Sequence, residues 1–120
     1  MTESVSQKLS APRTFAETYV GIINSGDYAT VGSLFAQDAL FLAPGARRFE
    51  GRHAITEFYS KFLAEVEPTI RICTYVESGD DCVFELEAMH NGSDTYALGA
   101  IDHATVDADG LVKRMAVYTK

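Results

Sequence analysis

The spacing of the apolar residues changes once along this chain, at Pro68, and that change constrains the fold more than any other feature. Before Pro68 apolar side chains recur every three or four residues, and after it every second residue. The first spacing belongs to helices that bury one stripe, the second to strands that bury one face. Phe15, Tyr19, Ile22 and Ile23 form the stripe of a first helix, with Ser10 as its cap, Pro12 in its first turn and Gly26 after its end. Asp27 is placed to cap a second, shorter helix carrying Val31, Leu34 and Phe35. The stretch "ALFLAPG" reads as a short strand stopped by Pro44-Gly45, and "ARRFEG" as a loop. A third helix spans about Arg52 to Glu65, with Ile55, Phe58, Tyr59, Phe62 and Leu63 on its stripe. Four strands follow, roughly over 69–77, 82–90, 95–106 and 111–119, punctuated by the turn formers SGDD, NGSD and DADG.

Helices first and consecutive strands afterwards predict an α+β domain. Its expected form is a curved antiparallel sheet with three N-terminal helices closing the concave side, a cone that encloses a pocket. A length of 120 residues predicts one domain, over 10–120, with residues 1–9 as a flexible start.

The formal net charge is −7, and the basic residues gather no more densely than Arg47-Arg48 with Arg52 close by. That argues against nucleic acid and against anionic membrane surfaces as partners. No window approaches the ~18 consecutive apolar residues of a membrane span. The polar start "MTESVSQKLSAP" lacks the apolar run of a secretory signal. If residues 78–81 turn a hairpin, Glu77 faces Cys82 and Cys73 lies four residues further along its strand, too far for a disulfide. Two free thiols in a cytoplasmic protein are the resulting expectation. No CxxC or HxxxH spacing occurs, so the sequence calls for no metal and no cofactor.

Alternation along the strands then singles out polar residues on apolar faces. Tyr96, Leu98, Ala100, Asp102, Ala104 and Val106 share one face, and only Asp102 is out of character there. Cys82, Phe84, Leu86, Ala88 and His90 share the inward face of another strand, which His90 ends. On the last strand Met115 and Val117 share a face with Lys113, which leaves its orientation open. With the helix residues Tyr19 and Tyr59, four polar groups sit on core-facing rows. An unpaired buried polar group costs about 1–3 kcal/mol, so each needs a partner or a function. A carboxyl group enclosed by hydrocarbon loses solvation of its charged form, and its pKa rises. Kept neutral, Asp102 becomes a hydrogen-bond donor.

These stretches resemble the NTF2-like superfamily, in particular its SnoaL-like and ketosteroid-isomerase-like branch. The resemblance rests on "YVGIINSGDYATVGSLFAQDALFLAPG", "FEGRHAITEFYSKFL" and "AIDHATVDADGLVKRMAVY", in that order. It implies an enzyme that enolises a ketone, in which a tyrosine and a protonated aspartic acid hydrogen-bond the enolate oxygen. Tyr19 matches the tyrosine, Asp102 the aspartic acid, and Tyr59 the tyrosine that supports the oxyanion tyrosine in some members. The carboxylate base of that group falls at Ala43, which can abstract no proton. Three substitutes stay open: His90, a rim carboxylate such as Asp38 or Glu50, or chemistry that needs little basicity from the protein. His103 lies on the face opposite Asp102, and His53 at the start of the third helix.

The resemblance leaves three functions in competition: a ketosteroid-isomerase-like isomerase, a hydrophobic-ligand-binding domain without catalysis, and a SnoaL-like cyclase, epoxide-hydrolase-like or lyase enzyme. Phe35, Ala43, Phe58, Phe84, Leu86, Leu98 and Met115, with Phe15 and Phe62, are the expected lining, suited to a hydrophobic ring-bearing molecule of steroid or polyketide type. The resemblance also implies a homodimer through the outer sheet face, where Val83, Met89, Ile101 and Val112 form a mixed row.

Overall fold

The computed structural model describes residues 9–90 and 92–119, except for the side chain of Leu98. The expected flexible start, apart from Leu9, lies outside the described residues. Helix α1 spans Ala11–Ser25. Ser10 accepts a hydrogen bond from the Arg13 N–H at its start, and Gly26 ends it in the left-handed conformation, φ 86°, its N–H donating to the Ile23 carbonyl. Its buried stripe is Phe15, Ala16, Tyr19 and Ile23.

The second helix forms over Tyr28–Leu34 as a 3-10 helix. Asp27 precedes it without capping the backbone, and its carboxylate instead accepts from the Thr30 hydroxyl at 2.6 Å. Gly32 lies against α2 (Arg52–Val66), where a Cβ would fall 1.7 Å from the Thr56 hydroxyl. Glycine is what lets this segment approach α2 so closely. Helix α2 ends on Glu67, whose N–H donates to the Leu63 carbonyl ahead of Pro68.

Strand β1 (Phe35–Ala43) starts earlier than the sequence pattern indicates, and the expected loop contains a short strand, β2 (Arg47–Glu50). The turn Pro44-Gly45-Ala46 joins them, with Gly45 and Ala46 both at positive φ. Strands β3 (Thr69–Ser78), β4 (Asp81–Met89), β5 (Ala97–Val106) and β6 (Val112–Tyr118) form an antiparallel meander. The sheet runs in the order β2-β1-β6-β5-β4-β3. One pairing departs from the expected antiparallel arrangement, because β1 and β6 run parallel. Parallel neighbours need a long connection, and here everything from β2 to β5 supplies it. In consequence β1, β4 and β6 all point the same way, and their C-terminal ends share one end of the sheet.

The β3–β4 register pairs Glu77 with Cys82, and both cysteines are free, Cys73 exposed and Cys82 buried. On β4, Cys82, Phe84, Leu86 and Ala88 all face the core. On β6 the simple alternation fails. The ladder passes from Thr105 opposite Arg114 to Val106 opposite Val112, so Lys113 is bulged out. Val112 and Met115 both turn inward and are fully buried, which removes Val112 from the expected outer row. At the far edge the Asn24 side chain takes both backbone groups of Ile70, donating to its carbonyl at 2.9 Å and accepting from its N–H at 2.8 Å.

Candidate functional site

One half of the cone is filled. Phe15, Phe35, Phe41 and Phe84 are buried, and Phe35 meets both Phe15 and Phe41 edge to face. The other half is hollow, a cavity of about 340 Å³ between the sheet and α2. Its walls are apolar, with Phe41, Phe58, Leu63, Ile70, Leu86 and Val117 among them. It reaches solvent through the exposed part of its lining. Arg47, His90 and Thr119 line it there and are exposed, and Phe62 is 42 % exposed at the rim.

Three polar side chains line the enclosed end. Tyr19 comes from α1, Tyr59 from α2 and Asp102 from β5, and each is 4 % exposed or less. The two tyrosine hydroxyls are 2.8 Å apart, and either can donate. Both carboxyl oxygens of Asp102 are buried without a hydrogen-bond partner among the described residues. Desolvation raises the Asp102 pKa from 3.8 to about 8. The acid is therefore largely protonated at neutral pH. Burial also pushes both phenols well above their ordinary value, and a charge on Asp102 would push them further. The floor thus carries three hydroxyl-bearing groups whose pKa values burial raises, in an apolar enclosure.

The structure brings Tyr19, Tyr59, Asp102 and His90 to one cavity, but not to one level of it. Phe84 pairs with Asp102, and His90 lies six residues further along β4. That is about 20 Å of strand, beyond the reach of direct proton transfer at the floor. Of the expected lining residues, Phe58 and Leu86 are on the wall. Phe35, Phe84 and Met115 pack into the filled core instead, as does Phe15. Ala43 is on the inward row of β1 beyond Phe41 but adds no wall to the cavity. Leu98 pairs with Glu87 through its backbone, and its side chain lies outside the described residues. Asp38 and Glu50 are exposed and off the cavity. His103 binds Asp81 at 3.0 Å, and the exposed His53 stands 3.5 Å from Glu57. Among the described residues no three His, Cys, Asp or Glu side chains gather as a metal site requires.

The residue missed by sequence reasoning is Arg47. It pairs with Ala43, and Phe49 pairs with Phe41 on the same face. Alternation in "RRFE" would have turned Arg47 inward, had the stretch been read as a strand.

A curved, unclosed α+β sheet holding a hydrophobic cavity with hydroxyl donors at its floor defines the NTF2-like class. Within that class, residues 16–115 match the SnoaL-like domain, and the chain belongs to that family. It is similar to the steroid Delta-isomerase of Nocardioides simplex, 29 % identical over 101 residues that cover 83 % of this chain and 82 % of that protein. An NTF2-like protein from Cytophaga hutchinsonii shares the fold at TM-score 0.73 and 14 % identity, over 96 % of this chain and 94 % of that one. So does RV0760c from Mycobacterium tuberculosis in complex with estradiol-17beta-hemisuccinate, at TM-score 0.77 and 16 % identity, over 93 % and 95 %. No helix among the described residues is long and apolar enough to cross a membrane.

Proposed function

We propose that this protein binds a hydrophobic, ring-bearing carbonyl compound and stabilises its enolate, as a ketosteroid-isomerase-like enzyme with the acid half of the machinery. The observation that carries this reading is Asp102, a carboxyl group enclosed in the cavity wall with neither oxygen partnered among the described residues. Such a group is costly unless a ligand satisfies it. A ketone oxygen placed at the floor would accept from Asp102 and from the Tyr19–Tyr59 pair. When a proton leaves the carbon beside the carbonyl, the electron pair moves onto that oxygen, where both donors strengthen. The steroid isomerase relative and the estradiol-derivative complex of a structural neighbour support a steroid-sized ligand.

Ala43 supplies no base, and His90 is a full strand-length from the floor. The reaction that fits is the shift of a β,γ-unsaturated ketone, whose proton is acidified by both the carbonyl and the double bond. Water admitted through the mouth would take it, leaving a dienolate, and the hydronium formed would return a proton to the γ-carbon, so that the double bond moves into conjugation. The cytoplasm and a homodimer through the outer face of β4 and β5 complete this reading.

The test is turnover of a β,γ-unsaturated 3-ketosteroid, followed as conjugated-enone absorbance. Asp102→Asn keeps a neutral donor and should retain activity within about tenfold, whereas Asp102→Leu should lose roughly 10²–10³-fold. Equal rates for both would remove Asp102 from the chemistry. Ala43 itself favours a second reading, ligand binding without turnover. It predicts that a phenolic steroid such as equilenin binds tightly while the ketosteroid is never converted.

A further inference from the structure

Arg47 is a cation on the wall of an apolar cavity, with no carboxylate partner among the described residues. It pairs with the inward residue Ala43, and directly opposed residues of antiparallel strands share a face. Its guanidinium carbon lies 5.3 Å from the centre of the Phe58 ring, which is itself cavity wall. Its Nε–H donates to the Pro44 carbonyl at 3.0 Å, which fixes the fork and leaves the outer N–H groups open. On the sheet, Arg48 holds Glu50 and Arg71 holds Glu87, each at 2.8 Å, whereas Arg52, like Arg47, gives its Nε–H to a backbone carbonyl, that of Phe35 at 2.9 Å, but is not on the cavity wall. In a chain with 17 acidic residues against 10 basic ones, a cation facing the cavity without an acidic partner among the described residues is a selective feature.

We propose that the ligand is a ring-bearing anion, its oxygen-bearing end at Tyr19 and Asp102 and a carboxylate at its other end held by Arg47. The guanidinium fork suits a carboxylate by two parallel N–H bonds, and stacking on Phe58 holds its plane. The register places the two ends on opposite sides of the cavity. Arg47 pairs with Ala43 and Asp102 with Val117, and the β1–β6 register pairs Leu42 with Ala116 just before them, so Arg47 and Asp102 stand three strand spacings apart, about 14 Å along the sheet. A fused ring system of two or more rings spans that interval. The proposal rests on the preceding reading in one respect, that a ring-bearing ligand fills the cavity.

Binding of three probes tests it by fluorescence: 6-hydroxy-2-naphthoate, its methyl ester, and 2-naphthoate. The hydroxynaphthoate should bind roughly five- to tenfold more tightly than its ester, with the preference shrinking as salt rises. Arg47→Met should abolish the preference, and Arg47→Lys should keep part of it. Arg48→Met, on the outward face of the same strand, should keep all of it. No preference in the native protein, or a preference that survives Arg47→Met, overturns the proposal. The hydroxyl is read separately by comparing hydroxynaphthoate with naphthoate. A carboxylate preference without any hydroxyl effect supports the Arg47 site and counts against the oxyanion reading alone.

Discussion

The floor and the mouth of the cavity hold polar side chains in opposite states of solvation. At the floor, Asp102 and two tyrosines are buried, the tyrosines bonded to each other and Asp102 without a partner among the described residues. At the mouth, Arg47, His90 and Thr119 are exposed to solvent. A carboxyl group at the mouth would be an ordinary carboxylate, whereas at the floor desolvation makes it an acid with a pKa of about 8. Depth in the cone, more than residue type, decides which groups donate protons and which carry charge.

The largest effect that can break this contrast is in the pH dependence of stability. The pKa of Asp102 is raised on folding from 3.8 to about 8, so between these values the folded state holds a proton that the unfolded state has lost. The contribution of Asp102 to stability is fully present below the lower value and falls as pH rises towards the upper one, by on the order of 5 kcal/mol in the limit of complete burial. Urea titrations from pH 4 to 9 should show that fall in the native protein and its absence in Asp102→Asn. Matching profiles would mean that the floor is wet.

Next in size is the missing base. Ala43→Asp sets a carboxylate on the inward row of β1, two strands from Asp102. Ketosteroid turnover should rise by about 10²–10⁴-fold, the usual worth of a positioned general base. A rise would show that the floor was already competent as an acid.

Tyr19→Phe is smaller. It strands the Tyr59 hydroxyl in the core, at a cost of about 1–3 kcal/mol measurable by urea unfolding. The smallest effect belongs to His90→Gln, which should change turnover by less than about twofold. A tenfold drop would instead make His90 the base and erase the difference between the two ends.

Most of the architecture was written in the spacing of apolar residues. The stripe of α1, its Ser10 and Gly26 ends, and the inward row of β4 follow from period and capping alone. Asp102 also announced itself, because one acid in an otherwise apolar row is a local anomaly. What stayed hidden was non-local. A bulge at Lys113 reverses the parity of β6, so Val112 turns inward in defiance of simple alternation. The parallel β1–β6 pairing depends on where a long excursion of the chain returns. The split between filled core and hollow followed the same rule. Phe35 and Phe84 are apolar, inward and close to the site, yet other aromatic rings cover them, and no pattern within one strand records that. Arg47 was missed for want of recognising four residues as a strand.

Asn24 joins the last turn of α1 to the first residues of β3 by completing both hydrogen bonds of Ile70. A side-chain amide thereby imitates a neighbouring strand at the exposed margin of the sheet, where an incoming chain would otherwise pair. The same clamp sits five residues beyond Tyr19, so the phenol's height over the sheet is set from the molecule's outer border. Protection against aggregation and alignment of the reactive floor are then one device, and losing the amide would compromise both together.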